Sequence, residues 1–266
     1  MTLHVTILGC GASTGLPQID GRWGECDPAN PKNRRRRCAL LVERYDGDQR
    51  TAILVDTGPD IREQILESGV DWLDAVFYTH DHADHTHGID DLRILCYRHR
   101  QLIDVYCTDF TRSILEKRFD YCFETQEGSS YPPILRAHSI EPGEAVTIEG
   151  AGGPISVIPF RQFHGNIESL GFRFGNLAYS SDVHDLPEES LPLLRGLDVW
   201  IVDALRRSRH PSHFSLDEAL DWIGRIAPKR AILTHMHLEL DYETTRRETP
   251  EHIVPAYDGM RVEVGE

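Results

Sequence analysis

The stretch Thr79-His80-Asp81-His82-Ala83-Asp84-His85-Thr86-His87-Gly88 decides how this chain is read. It follows the apolar run Ala75 to Tyr78, which reads as a strand, so its histidines and aspartates stand where a strand gives way to a loop. Histidines two apart on extended backbone project to the same side, and Asp84-His85 at the start of a following turn can fold back over a second position. One short segment can therefore supply ligands to two neighbouring cations. Imidazole with carboxylate suits Zn²⁺, Mn²⁺ or Fe²⁺, and the lack of thiolates points to a catalytic rather than a closed structural site. Four histidines and two aspartates within eight residues exceed what an exposed polar loop needs.

His80 and His82 alone do not complete a coordination sphere, so further ligands are expected at strand ends downstream. His164 follows the run Ile155 to Phe160, Asp182 ends Leu177-Ala178-Tyr179-Ser180-Ser181-Asp182, and His235 ends Ala231-Ile232-Leu233-Thr234-His235. A lone His or Asp at a strand end is ordinarily a turn residue. Five histidines and two aspartates together suffice for two metals sharing a bridging carboxylate.

Working outward, short apolar runs recur along the chain: Val5 to Leu8, Ala39 to Val42, Ala52 to Val55, Ile103 to Tyr106, Ile155 to Ile158, Phe172 to Phe174, Leu177 to Tyr179, Val199 to Val202 and Ala231 to Leu233. These read as strands, with a short last one over Gly259 to Val264. Helical patterns cover Asp60 to Ser68, Thr111 to Asp120 and Ser215 to Ile226, where Ser215 and Glu218 have capping-box spacing. The pattern predicts an α/β fold of two packed sheets with helices outside. No internal repeat or boundary-like tract divides it, so residues 1–266 are read as a single domain. The least periodic span, Arg118 to Ser139, is expected to be a loop or lid.

Of 266 residues, 28 are Lys or Arg and 43 Asp or Glu, a net charge of −15. That charge repels phosphate backbones and anionic membranes at long range, so a general nucleic-acid or membrane binder is disfavoured. No apolar run is long enough to span a bilayer, and Met1-Thr2-Leu3-His4 lacks the basic start of a signal peptide. Six cysteines without CxxC spacing read as reduced thiols, and a cytoplasmic location is expected.

The HxHxDH…His…Asp…His order resembles the metallo-β-lactamase superfamily, from the first strand to His235. The resemblance implies an αββα sandwich of two mixed sheets and two divalent ions, Zn or Mn with Fe as a further candidate. It implies that His80, His82 and His164 hold one ion, that Asp84, His85 and His235 hold the other, and that Asp182 bridges them. Asp56, in Leu54-Val55-Asp56-Thr57-Gly58, matches the acidic residue that orients the metal loop. The opening Thr6-Ile7-Leu8-Gly9-Cys10-Gly11-Ala12-Ser13-Thr14-Gly15-Leu16-Pro17 is similar to the branch holding the phosphodiesterases of phosphonate degradation, which act on phosphoribosyl 1,2-cyclic phosphate, and the tRNA 3′-processing endonucleases. His213, in His210-Pro211-Ser212-His213-Phe214-Ser215, matches that branch's additional active-site histidine. The run Asn33-Arg34-Arg35-Arg36-Arg37 is similar to an arginine cluster of the phosphodiesterases, with Arg35 and Arg37 as candidate substrate contacts. One departure is plain: the structural zinc site of those phosphodiesterases uses clustered cysteines, and Trp23 to Pro28 here offers only Cys26.

The implied function is a dinuclear phosphodiesterase cleaving a small cyclic or nucleotide-like ester by attack of a metal-bridging hydroxide. Asp84 would orient the hydroxide and His213 would act as general acid. A tRNA-processing or other nuclease is the alternative, disfavoured by charge and by the lack of a basic Gly/Pro-rich arm. A non-catalytic metal- or ligand-binding member is the alternative of another class, against which the full ligand set argues. His87, His184, His210 and His237 exceed what two metals need and are read as structural or substrate-contacting. A homodimer is the default assembly. Two divalent ions against two carboxylates make the site electropositive within an acidic protein, which favours a small ester over a long polyanion.

Overall fold

The computed structural model describes residues 2–265. Its first sheet is built from β1 (Thr2–Gly9), β2 (Ala39–Asp46), β3 (Gln49–Val55), β4 (Ala75–Phe77), β5 (Ile103–Cys107) and β6 (Leu135–Ser139). The second contains β7 (Val146–Ile148), β8 (Ile155–His164), β9 (Ile167–Phe174), β10 (Leu177–Ser180), β11 (Val199–Asp203), β12 (Arg230–Thr234) and β13 (Ile253–Pro255). The last strand, β14 (Met260–Gly265), returns to pair with β1. Each sheet thus has seven strands, in the orders β14-β1-β2-β3-β4-β5-β6 and β13-β12-β11-β10-β9-β8-β7. Both are mixed in the same way, with an antiparallel part turning parallel at β3 in one and at β10 in the other. This is the αββα sandwich.

Period-two alternation explains why central strands are apolar on both faces. Leu40 and Val42 of β2, with Ile53, Val55 and Phe77, meet Phe160, Phe172, Phe174 and Ile201 of the other sheet. Their neighbours Leu41, Leu54 and Val76 pack outward with Ile61, Leu95 and Leu115. Those three sit on the helices α1 (Ile61–Ser68), α3 (Arg93–His99) and α4 (Asp109–Arg118), while a one-turn helix, α2 (Ala83–Thr86), carries part of the quoted stretch. Two more short helices follow, α5 (Asp120–Phe123) and, beyond β12, α7 (Tyr242–Glu248). Between them α6 (Leu216–Ile226) lays Leu216, Ala219, Trp222 and Ile223 on the second sheet. Its capping box is complete: the Ser215 side chain accepts from the Glu218 amide, and the Glu218 carboxylate accepts from the Ser215 amide.

Two expectations need correction. The helix read as Thr111 to Asp120 begins two residues earlier, because the Thr108 hydroxyl caps it by accepting from the Thr111 amide. The span Arg118 to Ser139 is not all loop, since it holds α5 and β6. β6, like β7 and β13, is an edge strand, and an edge needs no continuous apolar run to form. Among the described residues no helix is long and apolar enough to cross a membrane.

Candidate metal centre

The site lies beyond the C-terminal ends of the parallel strands, where α/β sheets commonly bind ligands. Asp56 follows β3, His80 and His82 follow β4, Asp182 follows β10, and His235 follows β12; His164 is the last residue of β8. Five described non-glycine residues have positive φ, and three of them are Asp56 (65°), Asp182 (43°) and His235 (56°). Such backbone costs about 1–3 kcal/mol per residue and persists where surrounding structure imposes it.

The quoted stretch folds as its spacing suggests. His82 is extended (φ −64°, ψ 153°) and leads into α2, whose single turn brings Asp84 and His85 back toward His80. Thr57 donates to the His85 carbonyl at 2.8 Å, and a Cβ on Gly58 would lie 2.1 Å from the Asp84 carbonyl, so the Asp-Thr-Gly turn must carry glycine there. Arg118, at the end of α4, grips Asp81 by its carbonyl and, at 3.0 Å, its carboxylate.

All seven expected ligands are brought together. His80, His82, His164 and Asp182 offer ligand atoms within 4.8 Å of one another, as do Asp84, His85, Asp182 and His235. Asp182 belongs to both groups and divides its oxygens between them. Oδ2 lies 3.8 Å from His80 Nε2 and 3.7 Å from His164 Nε2, while Oδ1 lies 3.0 Å from His85 Nε2 and 3.5 Å from His235 Nε2. The far ring nitrogens are held from behind: His80 Nδ1 by Thr79 Oγ1 (2.9 Å), His164 Nδ1 by the Ser212 carbonyl (2.7 Å) and His85 Nδ1 by Asp56 Oδ2 (2.7 Å). The other Asp56 oxygen takes the Thr79 amide at 2.9 Å. Such outer contacts aim imidazoles at a metal.

The donor set fits divalent cations on the structure's own evidence. His80 Nε2, His85 Nε2, His235 Nε2 and Asp182 Oδ1 are buried without a hydrogen-bond partner, a costly state unless a cation meets them. Protonation tells the same story. Burial and neighbouring His85 push His80 well below its ordinary value, and burial brings His164 down to about 4. Against burial, Asp182, Asp84 and Asp56 hold His85 well above its ordinary value, and Asp182, Asp84 and Asp203 raise His235 to about 9. Asp182 falls well below the carboxylate range, with His235 and His85 outweighing its burial; Asp84 falls too, chiefly through His85.

His213 joins the centre: its Nε2 is 3.9 Å from Asp182 Oδ2 and its ring packs 4.6 Å from those of His164 and His235. Its partner Asp203 escaped the sequence reading. Asp203 ends β11, is wholly buried, and takes His213 Nδ1 at 2.7 Å and the Val183 amide at 3.1 Å. The signal was available, since a carboxylate ending Val199-Trp200-Ile201-Val202 has the same placement that singled out Asp182.

The arginine expectation is corrected at Arg35. Arg35 is 1% exposed, and its guanidinium donates to the carbonyls of His237 (3.3 Å) and Leu240 (2.6 Å) and to Asn33 Oδ1 (3.3 Å). It ties two segments of chain together and is closed off from solvent. Arg37 remains at the site, lining a cavity shared with Asp84. Of the spare histidines, His87 lies edge-on to Phe119, His184 accepts from the Gly165 amide, His210 packs on His213, and His237 meets Gln18.

Comparison with known proteins agrees with the fold and the donor cluster. Residues 51–236 match the β-lactamase superfamily domain, and the chain belongs to that superfamily. It is similar to a diphosphatase from the PhnP family, with 35% identity and a TM-score of 0.89 over 99% of this chain and 98% of that one. It is also 33% identical over 269 residues to an octanoyltransferase of Porphyromonas gingivalis, covering 99% of this chain and 52% of that protein. A ribonuclease Z of Bradyrhizobium sp. is 30% identical over 163 residues, 59% of this chain and 49% of that one. The chain spans about half the length of these two curated relatives. Its fold is that of the metallo-β-lactamase superfamily, and it resembles the PhnP family.

Proposed function

We propose that this chain is a dinuclear phosphodiesterase acting on a small, cyclic or nucleotide-like phosphodiester. The observation that carries the reading is the division of Asp182 between two donor groups, which suits a carboxylate bridging two ions. His80, His82 and His164 would hold one ion and Asp84, His85 and His235 the other. Zn²⁺, Mn²⁺ and Fe²⁺ all suit this set. Such ions would supply Lewis acidity toward the phosphoryl oxygens and make a water a stronger nucleophile near neutral pH.

The remaining work falls to the chain. Asp56 fixes the His85 tautomer and, through Thr79, the start of the metal loop. Asp84, 14% exposed at its side chain, would accept a hydrogen bond from the attacking water and orient it. His213 would give a proton to the departing oxygen, with Asp203 holding its far nitrogen. The six buried free thiols suit a reducing, cytoplasmic setting.

A second reading is favoured by the PhnP-family diphosphatase, since a diphosphate presents the same P–O cleavage to the same groups. Turnover of bis(p-nitrophenyl) phosphate, a nucleoside diphosphate and pre-tRNA by Mn²⁺-loaded protein separates the possibilities. The phosphodiester is expected to be the best substrate. Preferential cleavage of the diphosphate would support the second reading, and efficient pre-tRNA cleavage would overturn both.

A further inference from the structure

Beside Asp84 opens a cavity of about 440 Å³, walled by the loop of residues 11–24 on one side and by Pro59 and Ala83 on the other. The tip of that loop is a closed turn: the Gln18 amide donates to the Arg22 carbonyl at 3.0 Å, the Gly21 amide to Gln18 at 2.8 Å, and Gly21 takes φ 84°. Ile19 rides on this turn, fully exposed, at the cavity's rim. A lone exposed isoleucine is ordinary. One held by a hydrogen-bonded turn over a hollow that reaches a catalytic carboxylate has a surface to offer a ligand.

The charges of the lining narrow that ligand. Two arginines border the cavity, yet Arg22 Nε is 2.6 Å from Asp20 and Arg37 Nε is 2.9 Å from Asp60, and Asp84 adds a further negative charge. Their charge is already balanced, so a second phosphate would find no surplus cation there. An uncharged organic group would bury apolar surface against Ile19, Pro59 and Ala83 and bring no charge of its own to be desolvated. Orientation follows from what the cavity lacks. Asp84 lines it and His213, which protonates the departing oxygen, does not.

We propose that this cavity seats the uncharged organic substituent that stays on phosphorus, with Ile19 as its outer wall; the assignment rests on the phosphodiesterase reading above. The reaction is hydrolysis: water adds to phosphorus through its oxygen, the P–O bond on the His213 side breaks, the released alkoxide takes the proton of His213, and the proton given up by the water restores that of His213. The substituent in the cavity leaves as a phosphomonoester. The preferred substrates are then diesters whose retained group is a ring or other bulky neutral moiety.

The test compares two diesters with the same leaving group, bis(p-nitrophenyl) phosphate and methyl p-nitrophenyl phosphate, using Mn²⁺-loaded protein. The measured quantity is the ratio of their kcat/KM values. In Ile19→Ser, a surface change that leaves the fold alone, this aryl-over-methyl ratio is expected to fall about ten-fold, and in Ile19→Phe to rise, as loss or gain of one apolar contact predicts. A ratio unmoved by both substitutions while turnover persists overturns the cavity assignment alone. Absence of turnover of either ester by the wild-type protein overturns the phosphodiesterase reading and this assignment with it.

Discussion

His213 turns its Nδ1 onto Asp203 Oδ2 at 2.7 Å, so that its Nε2 faces Asp182 across 3.9 Å. A buried carboxylate behind an imidazole fixes which nitrogen carries the transferable proton. Asp203→Ala is therefore expected to lower kcat on an ester with an alkoxide leaving group by about 10²-fold, with KM nearly unchanged. The loss should be much smaller on p-nitrophenyl esters, whose leaving group needs no proton. Equal losses on the two ester types would show that Asp203 serves structure rather than proton delivery.

Metal loading should release protons. His235 is raised to about 9 and His85 lies well above its ordinary value, so both are charged in metal-free protein at pH 7, and each must lose its proton to bind a cation. Calorimetry of Mn²⁺ binding in buffers of different ionisation enthalpy is expected to show net proton release, with affinity falling as pH drops. Proton-neutral binding would mean that the ions sit elsewhere.

The fold and most of the centre were legible because their signals are local. His80, His82, Asp84 and His85 sit in one segment, and central strands buried on both faces declare themselves as apolar runs. What escaped depends on distance along the chain. Asp203 ends an apolar run just as Asp182 does, but its role comes from His213 ten residues on and Val183 twenty residues back, contacts that folding makes. Arg35 was misread for the same reason: the carbonyls it binds lie more than two hundred residues away. Edge strands such as Leu135–Ser139 carry polar residues on their open face and so lack the pattern of the interior.

Arg35 should behave as a structural residue. Arg35→Ala would leave the His237 and Leu240 carbonyls without their donor in a buried place, at a cost of roughly 2–4 kcal/mol. Thermal or urea unfolding is expected to record that loss while KM for a small diester stays within two-fold, roughly the level of experimental scatter. A large rise in KM at wild-type stability would restore the substrate-contact reading.

Asp258 gives a pH signature remote from the metals. Burial, outweighing Arg36, lifts its carboxyl from the usual 3.8 to about 6. Because the folded-state value is the higher one, the folded chain binds this proton first as pH falls. The group thus costs stability above about pH 6, on the order of 3 kcal/mol, and the cost disappears as pH falls toward 4. NMR titration should place its midpoint near 6, whereas a midpoint near 4 would show the carboxylate to be better solvated than its burial implies.

The account stands most directly on how many ions the two donor groups hold. Protein equilibrated with excess Mn²⁺ or Zn²⁺, freed of unbound metal and analysed for metal content, is expected to carry two ions per chain, and Asp182→Ala, which removes the carboxylate common to both groups, fewer. A wild-type content of one ion or none, or two ions undisturbed by loss of Asp182, would contradict the dinuclear centre.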